Sequence, residues 1–225
     1  MPESLTAVID ALPYLLEGSF VTIVVVLGAM GLGFLLGVPL AVGQVYGKPA
    51  LKRAVSVYVW FFRGIPLLVL LFLFYFGLCT LLDINLSAFV VAIAVLGFIS
   101  SAYQSQIFRG AILSLPEGQF KAARALGMSD RQALTNVILP QALRLSIPGW
   151  SNEYSIILKD SAVTYALGVA EIMARAHFVA TRTYQQLPLY LAAGVLFLVL
   201  TYLGVRGLRL PEEKVRIPGY AAHGS

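Results

Sequence analysis

Residues 101–149 read SAYQSQIFRGAILSLPEGQFKAARALGMSDRQALTNVILPQALRLSIPG, the one long polar stretch in a chain otherwise built of membrane-grade apolar segments. Two helix-start signals follow one another in it. Ser114 with Glu117 and an intervening Pro116 has the pattern of a capping box, in which hydroxyl and carboxylate each satisfy an orphan amide. A helix is predicted from about Pro116 to Met128, closed by Gly127, which tolerates a left-handed conformation. Ser129 and Gln132 repeat the box, and a second helix should run to Pro140, which lacks the N–H to continue it. The small residues Ala122, Ala123 and Ala125, with Leu126, sit among basic residues on the first short helix. That surface suits insertion into a cleft of another protein, although an ordinary interfacial helix has the same composition.

The rest of the chain is strongly apolar. Its 225 residues are 59% hydrophobic and 12% charged, with a mean hydropathy of +0.83. This is the composition of a polytopic, all-α membrane protein forming one domain over residues 1–225. Cys79 is the one cysteine, in an apolar run, and His177 and His223 are isolated. Neither a disulfide framework nor a metal site is expected.

Five spans are predicted, at about 19–45, 54–82, 86–108, 150–172 and 187–205, with the polar loop at 109–147. No charge falls between Gly18 and Gly47, more than the ~20 residues that cross the hydrocarbon core. Ala29, Gly33 and Gly37 recur every fourth residue there, a small-residue stripe suited to close helix packing within the subunit. The acidic segment before it, with Glu3, Asp10 and Glu17, lacks the basic start of a secretory signal and reads as a short extracytoplasmic or interfacial stretch. FRGIPLL at 62–68 should bend or restart the second span near the cytoplasmic surface. Glu171 to Gln186 reads as an extracytoplasmic loop or interfacial helix.

The fourth span is unusual in carrying Asn152, Glu153, Lys159 and Asp160. A charge at mid-membrane costs roughly 2.5–3.5 kcal/mol on insertion scales, so these groups need partners, water or a cavity. Asn152 with Lys159, and Glu153 with Asp160, make two polar stripes. These residues and Ser161 are candidate substrate contacts on a wet, pathway-facing surface. An internal salt-bridged helix is the alternative.

Charge counting sets the orientation. With an outside amino terminus, the inner side receives Lys48, Lys52, Arg53, Arg63, Arg109, Lys121, Arg124, Arg131, Arg144, Arg206, Arg209, Lys214 and Arg216, 13 of the 16 basic residues. The positive-inside rule then puts the carboxyl terminus in the cytoplasm. This distribution, not nucleic-acid binding, accounts for the net charge of +5. No phosphate loop, nucleophile elbow or zinc-protease motif is present, so no enzymatic activity is expected of this chain. If ATP drives transport, a separate subunit must hydrolyse it. Five spans are few to enclose a path, which implies pairing with a copy or a related chain.

KAARALGM followed by ILP resembles the coupling loop of ATP-binding-cassette (ABC) importer permeases, whose pattern is Glu-Ala-Ala, three residues, Gly, then about nine to Ile-x-Leu-Pro. Ala122, Ala123, Gly127, Leu139 and Pro140 match, and Lys121 stands at the glutamate position. FRGIPLL, SAYQSQIFRGAI, LPEGQ and SNEYSIILKDSAV, in order over about 20–202, are similar to blocks of the histidine, glutamine and arginine importer group. Departures are Gln106, where that group usually has glutamate, and Ser161, Ala162 and Val163 in its Lys-Asp-Thr-Ser-Leu block. The resemblance implies a type I (MetI-like) importer permease of the bacterial cytoplasmic (inner) membrane with a cytoplasmic coupling helix. It implies amino-acid transport with partner ABC ATPase subunits that bind the ATP, a second permease, an extracytoplasmic amino-acid-binding protein and surrounding lipid, and no cofactor on this chain. Lys121, Ala122, Ala123, Leu126, Gly127, Leu139 and Pro140 are then the ATPase-coupling residues. Permeases for methionine, phosphonate or another small solute share the pattern, and a self-sufficient secondary carrier or a structural scaffold is the rival from another class.

Overall fold

The structure is a computed structural model that describes residues 3–214; the expected tail residue Arg216 and His223 lie outside them. α1 (Glu3–Tyr46) is one continuous helix of 44 residues. The acidic amino-terminal segment is therefore helical, an extension of the first span. Val8, Ala11 and Leu15 recur at helical spacing, and Ala11 and Leu15 seat Ile172, Ala176 and Ala180 of α8 (Ile172–Thr183). Arg175 of α8 pairs with Glu17, donates to the Tyr14 carbonyl at 3.1 Å and lies 4.4 Å from the Tyr14 ring centroid. The polar 171–186 segment is thus a helix held on the α1 extension. Glu171 caps it, accepting from Ala174 N at 2.7 Å and Met173 N at 2.8 Å. Burial pushes this carboxyl up to about 7, against the pull of those two amides.

α4 (Ala88–Leu113) is the central helix, capped by Ser87, whose hydroxyl accepts from Val90 N. The stripe on α1 faces it. A Cβ at Gly33 would sit 2.5 Å from Gln104 Nε2 and 2.8 Å from Ser100 Oγ, and one at Gly37 would meet Gln104 Cβ at 3.1 Å. Lipid gives two apolar helices no hydrophobic reason to associate, so such close packing is what holds the pair. α7 (Ile147–Asp160) completes this layer, with Ile157 and Leu158 buried against Val25, Val26, Ala92 and Leu96.

The second span is broken. α2 (Pro49–Gly64) and the helical run α3 (Leu67–Leu81), which contains a π turn at Leu73–Leu78, meet at 106°. Pro66 has no N–H to carry the ladder across. The break packs against α4. Tyr58 donates to the Phe98 carbonyl at 3.2 Å and lies 2.6 Å from Ser101 Oγ, while Arg63 stacks 4.6 Å from the Tyr103 ring centroid. Arg63, counted above among the cytoplasmic basic residues, lies beside the body of α4.

α7 passes into a 3₁₀ run, Ser161–Leu167, ended by Gly168 at φ 90°. The predicted fourth span therefore closes a few residues before 172. α9 (Gln186–Lys214) contains the predicted last span. α1, α4 and α9 are long and apolar enough to cross a membrane, and the bent α2–α3 pair can form a fourth crossing. The remaining expected span corresponds to α7 and its 3₁₀ run, whose polar residues set it apart.

Candidate functional site

The helix-bend-helix is present, with two differences. α5 (Glu117–Ala125) starts after Pro116 without a side-chain cap. Ser114 instead belongs to the end of α4, where its hydroxyl donates to the Ala111 carbonyl at 2.8 Å, and exposed Glu117 lies 3.8 Å from Lys121. The bend itself is as predicted. Gly127 sits at φ 85°, with Met128 N donating to the Ala123 carbonyl and Gly127 N to that of Arg124, the pair of bonds of a Schellman motif. The second box forms in full: Gln132 N donates to Ser129 Oγ at 3.3 Å and Ser129 N to Gln132 Oε1 at 2.9 Å. Ser129→Ala removes this cap at a cost of about 1 kcal/mol. Faster amide exchange over 130–133, with the rest of the chain unchanged, is the expected result.

The second helix, α6, runs over 130–145, past Pro140. A π turn at Leu134–Ile138, with Leu139 N reaching the Leu134 carbonyl, shifts the bonding by one residue. Pro140 then falls in the first turn of Leu139–Leu145, where no N–H is needed. The two arms are fastened by reciprocal Gln119 and Gln141 amide bonds and by the Arg124–Asp130 ion pair across the bend, and Tyr46 of α1 stacks on Phe120 of the first arm at 5.1 Å. Phe108, Ile112, Ile138 and Ala142 form one cluster, so the loop is continuous with the foot of α4.

The expected coupling residues divide by exposure. Lys121, Ala122, Leu126, Gly127 and Pro140 are exposed, while Ala123 is buried within the loop and Leu139 half-buried. Leu126 is 81% exposed. An apolar side chain held out by the bend, with exposed Ala122 and Ala125 on the same face, makes an exposed apolar knob.

The five candidate substrate residues differ in exposure. Asn152 and Lys159 are exposed, Asp160 is half-buried, and Glu153 is 2% exposed. Ser161 is buried and donates to the Leu158 carbonyl at 2.7 Å. The two stripes exist, one turned out and one in. Among the described residues no ion pair lies on α7, so the internal salt-bridged helix is not what is found. Glu153 instead accepts from Ser100 Oγ at 3.0 Å. Gln104 donates to Ser100 Oγ at 2.9 Å and to the Met30 carbonyl at 3.1 Å, and accepts from Trp150 Nε1 at 2.7 Å. This buried network joins α1, α4 and α7. Its partners Ser100 and Gln104 stand one turn apart on a span that is otherwise mostly apolar, a signal legible in the sequence. Lys159 opens onto a groove of about 970 Å³ along α9, lined also by Thr201, Tyr202, Arg206 and Arg209.

A family profile described as "Binding-protein-dependent transport system inner membrane component" matches residues 29–217. The chain is 33% identical over 211 residues to an octopine transport system permease protein of Rhizobium meliloti, covering 89% of each chain. It is 33% identical over 203 residues to an arginine transport system permease protein of Bacillus subtilis, covering 88% of this chain and 93% of that one. A histidine/lysine/arginine/ornithine transport system permease protein of Salmonella typhimurium is 32% identical over 210 residues, 89% of each. Among solved structures, a chain of an amino acid ABC transporter crystallised with histidines superposes with a TM-score of 0.83 at 30% identity, covering 95% of this chain and 99% of that one. A chain of an inward-facing MetNI methionine ABC transporter gives 0.80 at 22% identity over 91% and 97%, a likeness of fold, and it is the all-helical MetI-like fold that the motifs led us to expect.

Proposed function

Since the chain belongs to the binding-protein-dependent transport system inner membrane component family, we propose that it is the permease subunit of an ATP-driven importer that carries a polar amino acid across the cytoplasmic membrane. The exposed, apolar-tipped bend at Ala122–Leu126 is the observation that carries this reading. It packs on the foot of α4 through Phe108, Ile112, Ile138 and Ala142, which gives force applied there a direct route to the helices of the path. ABC ATPase subunits are separate chains that bind and hydrolyse the ATP; as they close, the lever moves and the inner gate closes while the outer one opens, which is alternating access. A second permease chain completes the path, and an extracytoplasmic binding protein delivers the amino acid. The amino terminus lies outside and the carboxyl terminus in the cytoplasm. Asn152 and Lys159 wet the path, and Glu153, Asp160 and Ser161 hold the α7 backing from which polar contacts to the solute or its water are made.

The permease purified with its ATPase and binding protein and reconstituted into vesicles should accumulate a radiolabelled polar amino acid only when ATP is supplied on the ATPase side. Equal uptake by the permease alone would identify a secondary carrier and overturn the assignment.

A further inference from the structure

Arg63 is the unexpected charge. α1 is uncharged from Gly18 to Gly47, so its midpoint falls near Leu32 and Gly33. At that height Leu32 packs on Gly97, and Gly33 packs on Ser100 and Gln104 of α4. Tyr103, on which the Arg63 guanidinium rests, is therefore about one helical turn, ~5–6 Å, inward of the midplane, against a hydrocarbon half-thickness of about 15 Å. Arg63 is exposed there, and no ion pair to it occurs among the described residues. A bare guanidinium at that depth is not stable against lipid, so its surface is a wetted one.

The backbone beside it is open as well. α2 ends at Gly64 with Ile65 extended, at φ −99° and ψ 134°, and without a capping backbone bond. Among the described residues no backbone N–H beyond Gly64 returns to the carbonyls of Phe62, Arg63 or Gly64. Irregular backbone at membrane depth is tolerated only where it is buried in protein or lines a water-filled cavity, and Arg63, Gly64 and Pro66 are exposed.

We propose that the α2–α3 break grips the zwitterionic end common to all α-amino acids: the Arg63 fork donates to the α-carboxylate and the free carbonyls at the end of α2 accept from the α-ammonium. This rests on the amino-acid reading above and deepens it. A planar fork matches a carboxylate in two parallel bonds, and helix-end carbonyls carry partial negative charge suited to an ammonium. Recognition of the constant part of the solute is then separated from the side-chain contacts.

The assembled complex in vesicles is first given radiolabelled L-arginine, L-histidine, L-glutamine and octopine. ATP-driven uptake of none of them overturns both the amino-acid reading and this one. For whichever is carried, binding to the solubilised permease–ATPase complex, without the binding protein, is measured for that compound and for its α-carboxamide. The wild type should bind the carboxamide about 10- to 100-fold more weakly. R63M should bind the parent compound as weakly as the carboxamide and no longer tell them apart, while R63K keeps part of the preference. Uptake by the wild type together with equal binding of acid and amide, or with full discrimination by R63M, overturns the assignment of Arg63 and leaves the transport reading standing. Equal binding of acid and amide by the unaltered complex overturns the assignment even if R63M does not assemble.

Discussion

Leu126→Asp abolishes ATP-driven uptake while the permease stays folded and in the membrane. The side chain is 81% exposed at the bend, so its removal takes no contact from the core. Seated in an apolar cleft of the ATPase, a leucine is worth roughly 1.5–3 kcal/mol, and burying a carboxylate in its place costs several more. At 1.4 kcal/mol for each factor of ten, coupling should weaken at least ~100-fold. Two readouts separate this from misfolding: the variant's thermal midpoint in detergent stays within a degree or two of wild type, while capture of the ATPase and uptake in vesicles both fail. Ala123→Trp should fail differently. Ala123 is buried within the helix-bend-helix, so a large side chain there loosens the lever itself and lowers the thermal midpoint too. Normal uptake by Leu126→Asp would mean that the bend is not where force enters.

Much of this was legible from local chemistry. Gly127 and the Ser129–Gln132 box announced the bend, because a positive φ and an uncapped helix start each demand particular residue types. The stripe Ala29, Gly33 and Gly37 announced the face that meets α4. Ser114 misled, since the same serine that can cap the next helix can bond back to the turn before it, and the choice depends on where α4 ends. Pro140 misled for a related reason: a π turn upstream shifts the bonding by one residue, and nothing in the local composition marks that turn. The contact of Arg63 with Tyr103 was hidden because the bend at Gly64–Pro66 can be read from the sequence but its place beside α4 is set by how α2 packs. Glu153 was singled out as a solute contact on its own helix pattern. Its partner Ser100 lies on another helix, and burial of the pair is a tertiary fact.

Gly33→Leu should be the most damaging substitution inside the membrane. At this position even a Cβ would come within 2.5 Å of Gln104 Nε2, 2.8 Å of Ser100 Oγ and 3.0 Å of Ser100 Cβ. A full leucine must push α1 off α4 or displace both side chains. Displacing them leaves Glu153 without its Ser100 donor and Trp150 Nε1 and the Met30 carbonyl without Gln104. Overpacking alone costs about 1–3 kcal/mol, and each buried polar group left unpaired adds roughly 1–3 kcal/mol, more for a carboxylate. The sum is comparable with the whole stability of a typical domain, about 5–15 kcal/mol, so little folded protein should be recovered. Gly31→Leu is the control, because nothing lies within 4 Å of a Cβ there and a leucine would face outward. Yield of monodisperse protein and thermal midpoint in detergent should therefore be near wild type for Gly31→Leu and collapse for Gly33→Leu. Two equally stable variants would show that the close approach of α1 and α4, and the buried network it shelters, is not what holds the bundle together.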